Sequence, residues 1–239
     1  MPTSFDHFVF FADVPAEALA ASREIEQASA LVAAIPGLHR GLIFTPLAEA
    51  VAHPFSDDES PPLLALQLSF ESIGALEACA AREGALQAFT QGLAFPLLSR
   101  ARVTHQAMIN RPFPVDEPAS DASIWCSYLV HYPGAASDLN AWLAHYLTHH
   151  PQIMRKFSGI RAIEIFTRLD WVDALPWPRL DYFQRNKLVF DNPAALSAAL
   201  LSPVIKEMRA DYHQFPPFTG ANVHYVLRTV QVRPQPRTA

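Results

Sequence analysis

The chain has 239 residues, of which 50% are hydrophobic and 17% are charged. That apolar content is enough for one large hydrophobic core or two small ones. The formal net charge is −5, from 18 basic and 23 acidic residues, and the basic residues form no block. Because phosphate binding needs clustered Lys and Arg, we expect no nucleic-acid partner.

Neither a secretion signal nor a membrane span is predicted. The N-terminal segment MPTSFDHFVFF has no basic region, and its apolar run is too short for a signal peptide. No stretch approaches the roughly 20 apolar residues of a transmembrane helix. Cys79 and Cys126 lie in apolar segments, which favours buried free thiols over a disulfide or a metal site. We therefore expect a soluble, cytoplasmic protein without a membrane partner.

The first half of the chain predicts alternating strands and helices. Asp13 and Pro15 open a helix with proline in its first turn, and Pro36 with Gly37 ends it. In chain order we expect a strand at 6–11, this helix, a strand at 41–45, an exposed proline- and acid-rich loop at 53–62, a strand at 63–70, a helix at 72–81, one or two helical turns within 84–99, and a strand at 102–109.

The second half repeats this plan after a semi-rigid, proline-rich linker at 112–120, which separates units at 1–111 and 121–239. We expect a strand at 124–132, a helix at 138–154, a strand at 161–167, a Trp- and Pro-rich loop at 171–179 and a strand at 181–190. Asn192 caps a helix that begins with Pro193, runs to about residue 211 and breaks near Pro203. The last strand is expected at 222–232.

The two halves also match in sequence. Residues 35–38 (IPGL) followed by 43–45 (IFT) recur as 157–160 (FSGI) followed by 165–167 (IFT), an offset of 159 − 37 = 122 between the glycines. Phe70 corresponds to Phe190 at an offset of 120, and His105 to His224 at an offset of 119. Collinear matches over roughly 100 residues indicate an internal duplication.

The element order βαββαβ in each half predicts the ferredoxin-like unit, an antiparallel sheet with both helices on one face. In strand 124–132 one face carries Trp125 and Leu129, and the other carries Cys126, Tyr128 and Val130. Because both faces are apolar, helices must cover one face and a second sheet the other. The predicted fold class is α+β, with two tandem ferredoxin-like repeats whose sheets pack face to face as a barrel within one chain.

The helix at 138–154 carries the candidate chemistry. Ser137 or Asp138 is a suitable N-cap, and one apolar stripe runs along the helix through Leu139, Trp142, Leu143, Tyr146 and Ile153. His150 falls on this stripe, whereas His149 is rotated by about 100° and shares a face with His145. His150 therefore points at whatever the helix packs on. It is either a core histidine bonded to a backbone carbonyl or a ligand-facing acid–base group.

The second half resembles the EthD family of the dimeric α+β barrel superfamily. The matching residues are 131–133 (HYP), Asp138, 145–146 (HY), 149–151 (HHP) and Gly159. By position, Tyr146 matches the second tyrosine of the family's tyrosine pair, and His150 matches its histidine. His145 stands where the first tyrosine is usual, and Pro151 follows the histidine directly.

The resemblance implies a barrel that holds a small hydrophobic or aromatic ligand between sheet and helices, in a superfamily that usually assembles from two chains. Cofactor-free monooxygenases, isomerases, polyketide cyclases and haem-binding proteins all occur in that superfamily. In the first half Ala28 occupies the position of His150, at an offset of 122. One half would therefore hold the site and the other would act as scaffold.

The candidate catalytic residues are His150, as acid or base, and Tyr146. The hydrogen-bond donor to a developing oxyanion would be Tyr146 or Tyr182. The candidate substrate-binding residues are His131, His149, Trp142, Tyr182 and His224. For His131, His224 and Tyr182, packing in a core or an interface is the competing interpretation. We predict no metal site, because no carboxylate completes a metal motif with His145 and His149. His53, His105 and His213 stand alone and are expected to be structural or exposed.

The leading hypothesis is an enzyme without nucleotide, metal or other cofactor. It would act on an apolar or aromatic carbonyl or phenol compound as an isomerase, cyclase or cofactor-free oxygenase. A non-catalytic protein that binds a small ligand is the second hypothesis, and a haem protein with His150 or His224 as axial ligand is the third. Since the sheet-to-sheet contact is made within the chain, a monomer and a homodimer are both compatible with the sequence.

Overall fold

The computed structural model describes residues 3–13, 23–47, 60–119 and 124–235. Its strands are β1 (Ser4–Ala12), β2 (Leu38–Pro46), β3 (Leu64–Phe70), β4 (Arg102–Phe113), β5 (Ile124–Tyr132), β6 (Ile160–Arg168), β7 (Gln184–Phe190) and β8 (Val223–Val232). Its helices are α1 (Glu24–Ala33), α2 (Ile73–Ala80), α3 (Leu139–Met154), α4 (Pro193–Leu200) and α5 (Val204–Tyr212). Short 3₁₀ helices at Ala85–Thr90 and Leu98–Arg100 lie between α2 and β4.

The eight strands form one closed antiparallel barrel in the order β1-β3-β2-β8-β5-β7-β6-β4. The first four strands pair as β4-β1-β3-β2, and the last four pair in the corresponding order β8-β5-β7-β6. Hydrogen-bonded ladders between β2 and β8 and between β4 and β6 join the two sets. A closed barrel leaves no unpaired sheet edge, which removes the risk of edge-to-edge association.

Matching irregularities recur in the two halves. The register shifts between Leu38 and Arg40 in β2, and again between Ile160 and Ala162 in β6. The glycine before each of these strands, Gly37 or Gly159, has a φ of 74° or 77°. Glycine adopts positive φ without the steric cost that a Cβ adds. This explains why glycine occupies the turn between helix and strand in both halves.

Side-chain caps start several helices at the predicted residues. Asp138 Oδ1 accepts a hydrogen bond from the Ala141 N–H at 2.9 Å, and Asn192 Oδ1 accepts one from the Ala195 N–H at the same distance. Each cap satisfies one of the backbone donors that a first helical turn leaves free. The predicted helix from Pro193 to residue 211 breaks into α4 and α5 at Pro203, as expected from the missing proline N–H.

Alternate residues of each strand face the barrel interior and the outer helices. Leu129 of β5 packs inside the barrel with Phe8, Phe44, Phe166 and other buried residues. Cys126, Tyr128, Val130 and Tyr132 of the same strand face a core formed with α3 and α4. A separate outer core covers the first-half sheet. The two-faced apolar pattern of β5 is thereby confirmed, and Cys79 and Cys126 are buried free thiols as predicted.

A chain of buried ions and hydrogen bonds crosses the barrel interior. The fully buried Glu164 pairs with Arg40 Nη2 at 2.6 Å and with Lys187 Nζ at 2.6 Å. Lys187 Nζ donates to Gln67 Oε1 at 2.7 Å, and Gln67 Nε2 donates to Asp6 Oδ1 at 2.7 Å. Burial raises the pKa of Glu164, but Arg40 and Lys187 outweigh that effect and hold it well below its usual range. These ion pairs and hydrogen bonds therefore connect side chains from both halves of the protein.

The larger differences from the predicted elements are at the ends of strands. Pro112 and Phe113, assigned to the linker by the sequence, continue β4 and pair with Glu164 and Ile163 of β6. Proline is tolerated there because the pairing of β4 with β1 ends at Asn110, so only β6 pairs with β4 at residue 112. Strand β7 begins at Gln184, three residues after the predicted start at 181. The predicted helical start at 13–15 and the loop at 53–62, with His53, lie largely outside the described residues.

Among the described residues, no helix is long and apolar enough to cross a membrane.

Candidate functional site

A pocket opens between the helices of the second half and the outer face of its sheet. Its cavity is about 100 Å³. His150 and Met154 of α3 line it on one side, and Tyr212 of α5 lines it on another. Asn186 of β7 and His224 of β8 belong to the sheet wall. The rest of the wall is mostly apolar, which is the usual form of a site for a small organic molecule.

His150 is bonded to a carboxylate. Its Nδ1 lies 2.7 Å from Asp211 Oδ2, and the side chain is only 6% exposed. The other oxygen of Asp211 lies 3.0 Å from Nε2 of the half-buried His145. One carboxylate of α5 thus holds two histidines of α3, one on each of its oxygens. This arrangement fixes α5 against α3 and orients the His150 ring.

The protonation states follow from these contacts. Burial lowers the pKa of His150, and the bond to Asp211 raises it by less, so its pKa lies below the ordinary value. Burial also raises the pKa of Asp211, but the bonds to His150 and His145 outweigh burial and lower it. At neutral pH, Asp211 is therefore ionised and His150 is neutral. An ionised carboxylate only accepts hydrogen bonds, so Nδ1 of His150 carries the proton and Nε2 carries a lone pair.

The neutral His150 consequently has the features of a general base. Its Nε2 is the ring nitrogen that Asp211 leaves for another partner, and the residue lies in the wall of the pocket. A carboxylate on the opposite nitrogen stabilises the imidazolium that forms when Nε2 takes a proton. The predicted direction of His150, towards the surface on which the helix packs, is confirmed. Its partner, however, is a carboxylate rather than the backbone carbonyl of the structural interpretation.

Tyr146 lies behind the pocket rather than in its wall. Its fully buried hydroxyl accepts a hydrogen bond from Asn186 Nδ2 at 2.7 Å and is also bonded to the Tyr132 hydroxyl. Burial, followed by Tyr132, raises the pKa of Tyr146 well above its ordinary value, so the hydroxyl stays protonated. Asn186 and Tyr132 do line the pocket. Tyr146 itself therefore does not contact the pocket but supports two residues that do.

Trp142 belongs to the aromatic core beneath the pocket. Its ring stacks on Tyr146 with centroids 4.9 Å apart and meets Phe183 edge-on at 4.7 Å. It is fully buried and supports the α3 face that carries His150. Such aromatic pairs contribute about 0.5–1.5 kcal/mol each beyond the area they bury, which makes this helix face rigid.

The remaining sequence candidates separate into three places. His224 lines the pocket, stacks on Tyr128 with centroids 5.5 Å apart, and its Nε2 lies 3.1 Å from Asn222 Nδ2. His149 is exposed, and its Nδ1 bonds the His145 carbonyl oxygen at 2.9 Å within the helix. His131 and Tyr182 lie at a different cavity, inside one end of the barrel. The structure therefore does not bring these last three residues to the pocket of His150.

Asp211, Asn186 and Tyr132 are the site residues that the motif analysis did not assign. Asp211 lies 61 residues after His150, in a helix for which no spacing relation to α3 could be proposed. The available signal was a carboxylate in the last turn of a predicted amphipathic helix. Asn186 shares a strand face with Gln184, Leu188 and Phe190, and the sequence alone does not show which of its polar residues reaches a pocket. Tyr132 belongs to the HYP segment that carries the resemblance and to the polar aromatic residues of the second half, but the sequence assigned it no role.

His105 does not stand alone, contrary to the expectation from sequence. It is buried in the outer core of the first half, where its Nδ1 lies 2.9 Å from His7 Nε2. Its Nε2 lies 3.1 Å from the Trp177 carbonyl oxygen, which can only accept a hydrogen bond. Nε2 therefore carries the proton of His105, and His7 Nε2–H donates to its Nδ1. Trp171 packs edge-on against both rings at 5.0 Å and fills the space beside them.

The described ranges contain no group of three or more His, Cys, Asp or Glu side chains placed to hold a metal ion. The His145–Asp211–His150 cluster offers one carboxylate and two imidazoles, but hydrogen bonds within the cluster use both carboxylate oxygens. These contacts suit proton transfer better than metal ligation.

No protein-family model matches the sequence, and no curated protein is significantly similar to it. Several solved structures are similar along nearly the whole chain. An anthrone oxidase-like protein is 13% identical, with 99% of this chain and 96% of that chain covered and a TM-score of 0.62. A candidate monooxygenase from Lactobacillus acidophilus NCFM is 13% identical, with 97% and 94% covered and a TM-score of 0.51.

A chlorite dismutase variant from Candidatus Nitrospira defluvii is also similar. It is 10% identical, with 94% of this chain and 90% of that chain covered and a TM-score of 0.54. At such identities the similarity shows the fold alone. Together with the closed antiparallel barrel and its outer helices, it shows that this chain has the dimeric α+β barrel fold.

Proposed function

We propose that this protein is a small-molecule enzyme that moves a proton on an apolar or aromatic carbonyl or phenol compound. The reaction would take place in the pocket between α3, α5 and the outer face of β5, β7 and β8. The observation that carries the proposal is the 2.7 Å contact between His150 Nδ1 and Asp211 Oδ2 in the wall of an apolar pocket. The dimeric α+β barrel relatives described as oxidase-like or monooxygenase proteins support a small-molecule substrate.

The proposed step begins with His150 Nε2 as the base. It takes a proton from a phenol oxygen, or from a carbon next to a carbonyl, and the substrate becomes a phenolate or enolate. Asp211 accepts the bond from Nδ1–H throughout and stabilises the imidazolium. His150 then returns the proton to a different atom of the same molecule, which gives an isomer without any co-reactant. General acid–base catalysis of this kind contributes about 10²–10⁴-fold to a rate.

The sheet wall supplies the polar contacts that such a substrate needs. The Asn186 side chain is held by the Tyr146 hydroxyl, and its other amide atom has no partner among the described residues. Because Nδ2 is bonded to Tyr146, the free atom is Oδ1, which can accept a hydrogen bond from a hydroxyl group of the substrate. Tyr132, held protonated by burial, is the donor that would stabilise the oxyanion.

We also propose that the barrel arose from two tandem ferredoxin-like units, approximately at 1–111 and 121–239. The corresponding pairing orders of the two sets of strands and the register shifts 122 residues apart support this origin. In that interpretation the second, EthD-like unit holds the site, and the first is scaffold.

Proton exchange at carbon gives the most direct test, because it needs no oxidant and detects the first step alone. Anthrone has an acidic methylene group next to its aromatic rings and is a suitable probe. In deuterated buffer, NMR should show protein-catalysed exchange of that methylene. His150→Gln should lower the catalysed rate by about 10²-fold or more. His149→Gln, a change at the neighbouring exposed histidine, is the matched control and should leave the rate unchanged.

Thermal unfolding of His150→Gln must accompany this experiment, because truncation of a buried side chain can cost about 1–3 kcal/mol through packing alone. A folded His150→Gln protein that exchanges anthrone as fast as the unsubstituted protein would end the proposed role. If both proteins exchange slowly, a panel of phenols and 1,3-dicarbonyl compounds extends the search.

A non-catalytic ligand-binding protein is the second candidate, because the bond between His150 and Asp211 also holds α5 against α3 and so has a structural role without any catalysis. The cavity of about 100 Å³ is smaller than the roughly 300–1,000 Å³ of typical ligand sites, so side chains of its wall must move when a compound as large as anthrone binds. A compound that binds with His150-dependent affinity but shows no exchange or turnover would support this alternative.

The haem hypothesis fits poorly. His150 Nε2 is available as a ligand, but a cavity of about 100 Å³ is far smaller than a macrocycle requires. A visible spectrum of the purified protein tests it, and the absence of a Soret band is expected.

A further inference from the structure

A second site is indicated inside the barrel, on the opposite face of β7 from the pocket of His150. Successive side chains of a strand point to opposite faces of the sheet. The side chain of Arg185 therefore points into the barrel, whereas those of its neighbours Gln184 and Asn186 point outward. Arg185 is completely buried. Its Nη2 donates to Gln106 Oε1 at 3.0 Å, whereas Nε and Nη1 have no hydrogen-bond partner in the part of the chain that the structure describes.

Arg185 differs in this respect from two other cations of the barrel interior, the partly buried Arg40 and the buried Lys187. Arg40 and Lys187 both pair with the Glu164 carboxylate at 2.6 Å. No ion pair to Arg185 occurs among the described residues. The aromatic rings of Phe10 and Tyr182 lie 4.6 and 4.8 Å from its guanidinium carbon. These ring faces attract a cation but offer no oxygen or nitrogen acceptor, so the N–H groups of Nε and Nη1 stay without a hydrogen-bond partner.

His131 adds a second unsatisfied group next to Arg185. The two residues are directly opposite each other in the β5–β7 ladder. Both ring nitrogens of the buried His131 have no partner among the described residues. Burial, followed by the Arg185 charge, lowers the pKa of His131 well below its ordinary value, so the ring is neutral and carries one free N–H. Buried donors without partners are rare in folded proteins and call for an explanation.

A cavity reaches these groups from one end of the barrel. It has a volume of about 130 Å³, and Arg185 and His131 form part of its lining. The rings of Phe10, Tyr182 and Tyr225 form other walls, and Arg102 lies at its rim with Ser60. A flat apolar body would pack between these rings, and a negative charge would satisfy Arg185. Those two requirements describe an organic carboxylate.

We propose that this end of the barrel binds a small aromatic or apolar carboxylate. The carboxylate accepts hydrogen bonds from Arg185 and His131, and the organic body lies against Phe10, Tyr182 and Tyr225. A buried guanidinium that would otherwise lack a counter-charge then has one. The site is separate from the His150 pocket because it occupies the other face of the sheet. Its existence does not depend on the proposed proton transfer.

Isothermal titration calorimetry with benzoate tests the proposal, and benzamide, which has a similar shape but no charge, is the control ligand. Benzoate should bind once per chain, and benzamide should bind at least about tenfold more weakly, because charge-assisted hydrogen bonds to Arg185 are lost. Arg185→Met should weaken benzoate binding by at least about tenfold. Arg209→Met changes an arginine of the His150 pocket and should have no effect.

Thermal unfolding separates a binding role from a structural one. Arg185→Met removes a buried charge that has no carboxylate partner, so its melting temperature should equal or exceed that of the unsubstituted protein. Lys187→Met, which breaks a buried ion pair, should lower it. If Arg185→Met does not fold, His131→Phe is tested instead. Phenylalanine is chosen because Phe10 occupies the corresponding position in β1. Benzoate binding should again weaken.

Three results would overturn the proposal. Benzoate could show no binding at millimolar concentration, benzamide could bind equally well, or Arg209→Met could abolish binding while Arg185→Met preserves it. The last result would place the carboxylate in the His150 pocket.

Discussion

The outer layers of the two halves differ in how they fill the space between sheet and helices. In the second half, α3 and α5 leave a pocket with His150 and Asp211 in its wall. In the first half, Trp171 and Leu175 from the connection between β6 and β7 pack into the outer core. A histidine pair is present there too, but Trp171 covers it. Corresponding strands therefore carry different outer layers: the layer of the second half contains a pocket, and that of the first half is filled by side chains.

The helix residues account for part of this difference. At the positions of Tyr146 and His150, α1 has Glu24 and Ala28, 122 residues earlier. The Glu24 carboxylate accepts hydrogen bonds from the backbone N–H groups of Leu97 and Leu98 at 2.8 and 2.9 Å. The Glu24 carboxylate of the first half thus holds a 3₁₀ helix in place, whereas the Asp211 carboxylate of the second half orients the imidazole of His150.

The partners of each histidine distinguish structure from candidate chemistry. His7 donates to His105, which donates to a backbone carbonyl, and the neutral pair lies beneath an indole. Such a pair has no carboxylate bonded to it to stabilise an added proton. His150 has a carboxylate on one nitrogen and a pocket beside the ring. Burial alone does not distinguish these cases, since both sets of rings are buried.

Trp171→Ala should have the largest effect on stability. It removes the ring that fills the first-half layer, and loss of a buried Trp or Phe side chain costs about 3–5 kcal/mol. Urea denaturation measures the free energy of unfolding. Ligand binding or exchange at His150 should persist in the folded fraction, because Trp171 belongs to the other layer.

Val172→Ala, a change at the neighbouring exposed residue, is the control and should lie within about 0.5 kcal/mol of the unsubstituted protein. A loss below about 1 kcal/mol for Trp171→Ala would mean that the indole does not fill the layer as described.

Stability should also fall when the pH decreases below about 6.5, the ordinary pKa of histidine. Burial lowers the pKa of His7, His105, His131 and His150 in the folded protein. Below 6.5 the unfolded chain therefore binds more protons than the folded chain, and the free energy of unfolding decreases. The stabilisation is complete above pH 6.5 and is lost progressively as the pH falls towards the folded pKa values.

In the His7→Gln variant, the free energy of unfolding should depend less steeply on pH below 6.5. The slope should decrease by at most about 1.4 kcal/mol per pH unit, which is the contribution of one histidine. The Gln side-chain N–H can still donate to His105. Gln214→Ala, a change at an exposed residue without a titratable group, is the control and should leave the slope unchanged. Stability that rises below pH 6.5 would contradict neutral buried histidines.

The smallest expected effects concern corresponding helix caps. Ser72 and Asn192 each accept a hydrogen bond from the N–H three residues later, at 3.2 and 2.9 Å. Ser72→Ala and Asn192→Ala should each cost about 1 kcal/mol. If the closed barrel unfolds as one cooperative unit, both variants should lower the same single transition. Two separate transitions, with one cap affecting each, would show that the halves unfold independently.

The sequence predicted much of the architecture because strand and helix patterns are local. The bounds of β5 agree at both ends, the Asp138 and Asn192 caps are confirmed, and His150 lies on the buried face of α3. Periodicity also separated His149 from His150 correctly, since it depends only on helical geometry.

The composition of the site was less predictable because it depends on distant contacts. Nothing in α3 indicates that Asp211, 61 residues away, bonds its histidines. The strand face of His131 depended on whether odd or even residues of β5 turn inward, and both faces are apolar. Likewise, no local pattern shows that Trp171 crosses to the core of the other half.

The tautomer of His150 tests the central claim most directly. Long-range ¹H–¹⁵N spectra of histidine-labelled protein distinguish protonated from unprotonated ring nitrogens, and the His150→Gln variant identifies the signals. At neutral pH we predict a protonated Nδ1 and an unprotonated Nε2 whose shift changes when anthrone or another pocket ligand is added. A protonated Nε2, or an Nε2 signal unaffected by every ligand that binds, would contradict the assignment of His150 as the base of this pocket.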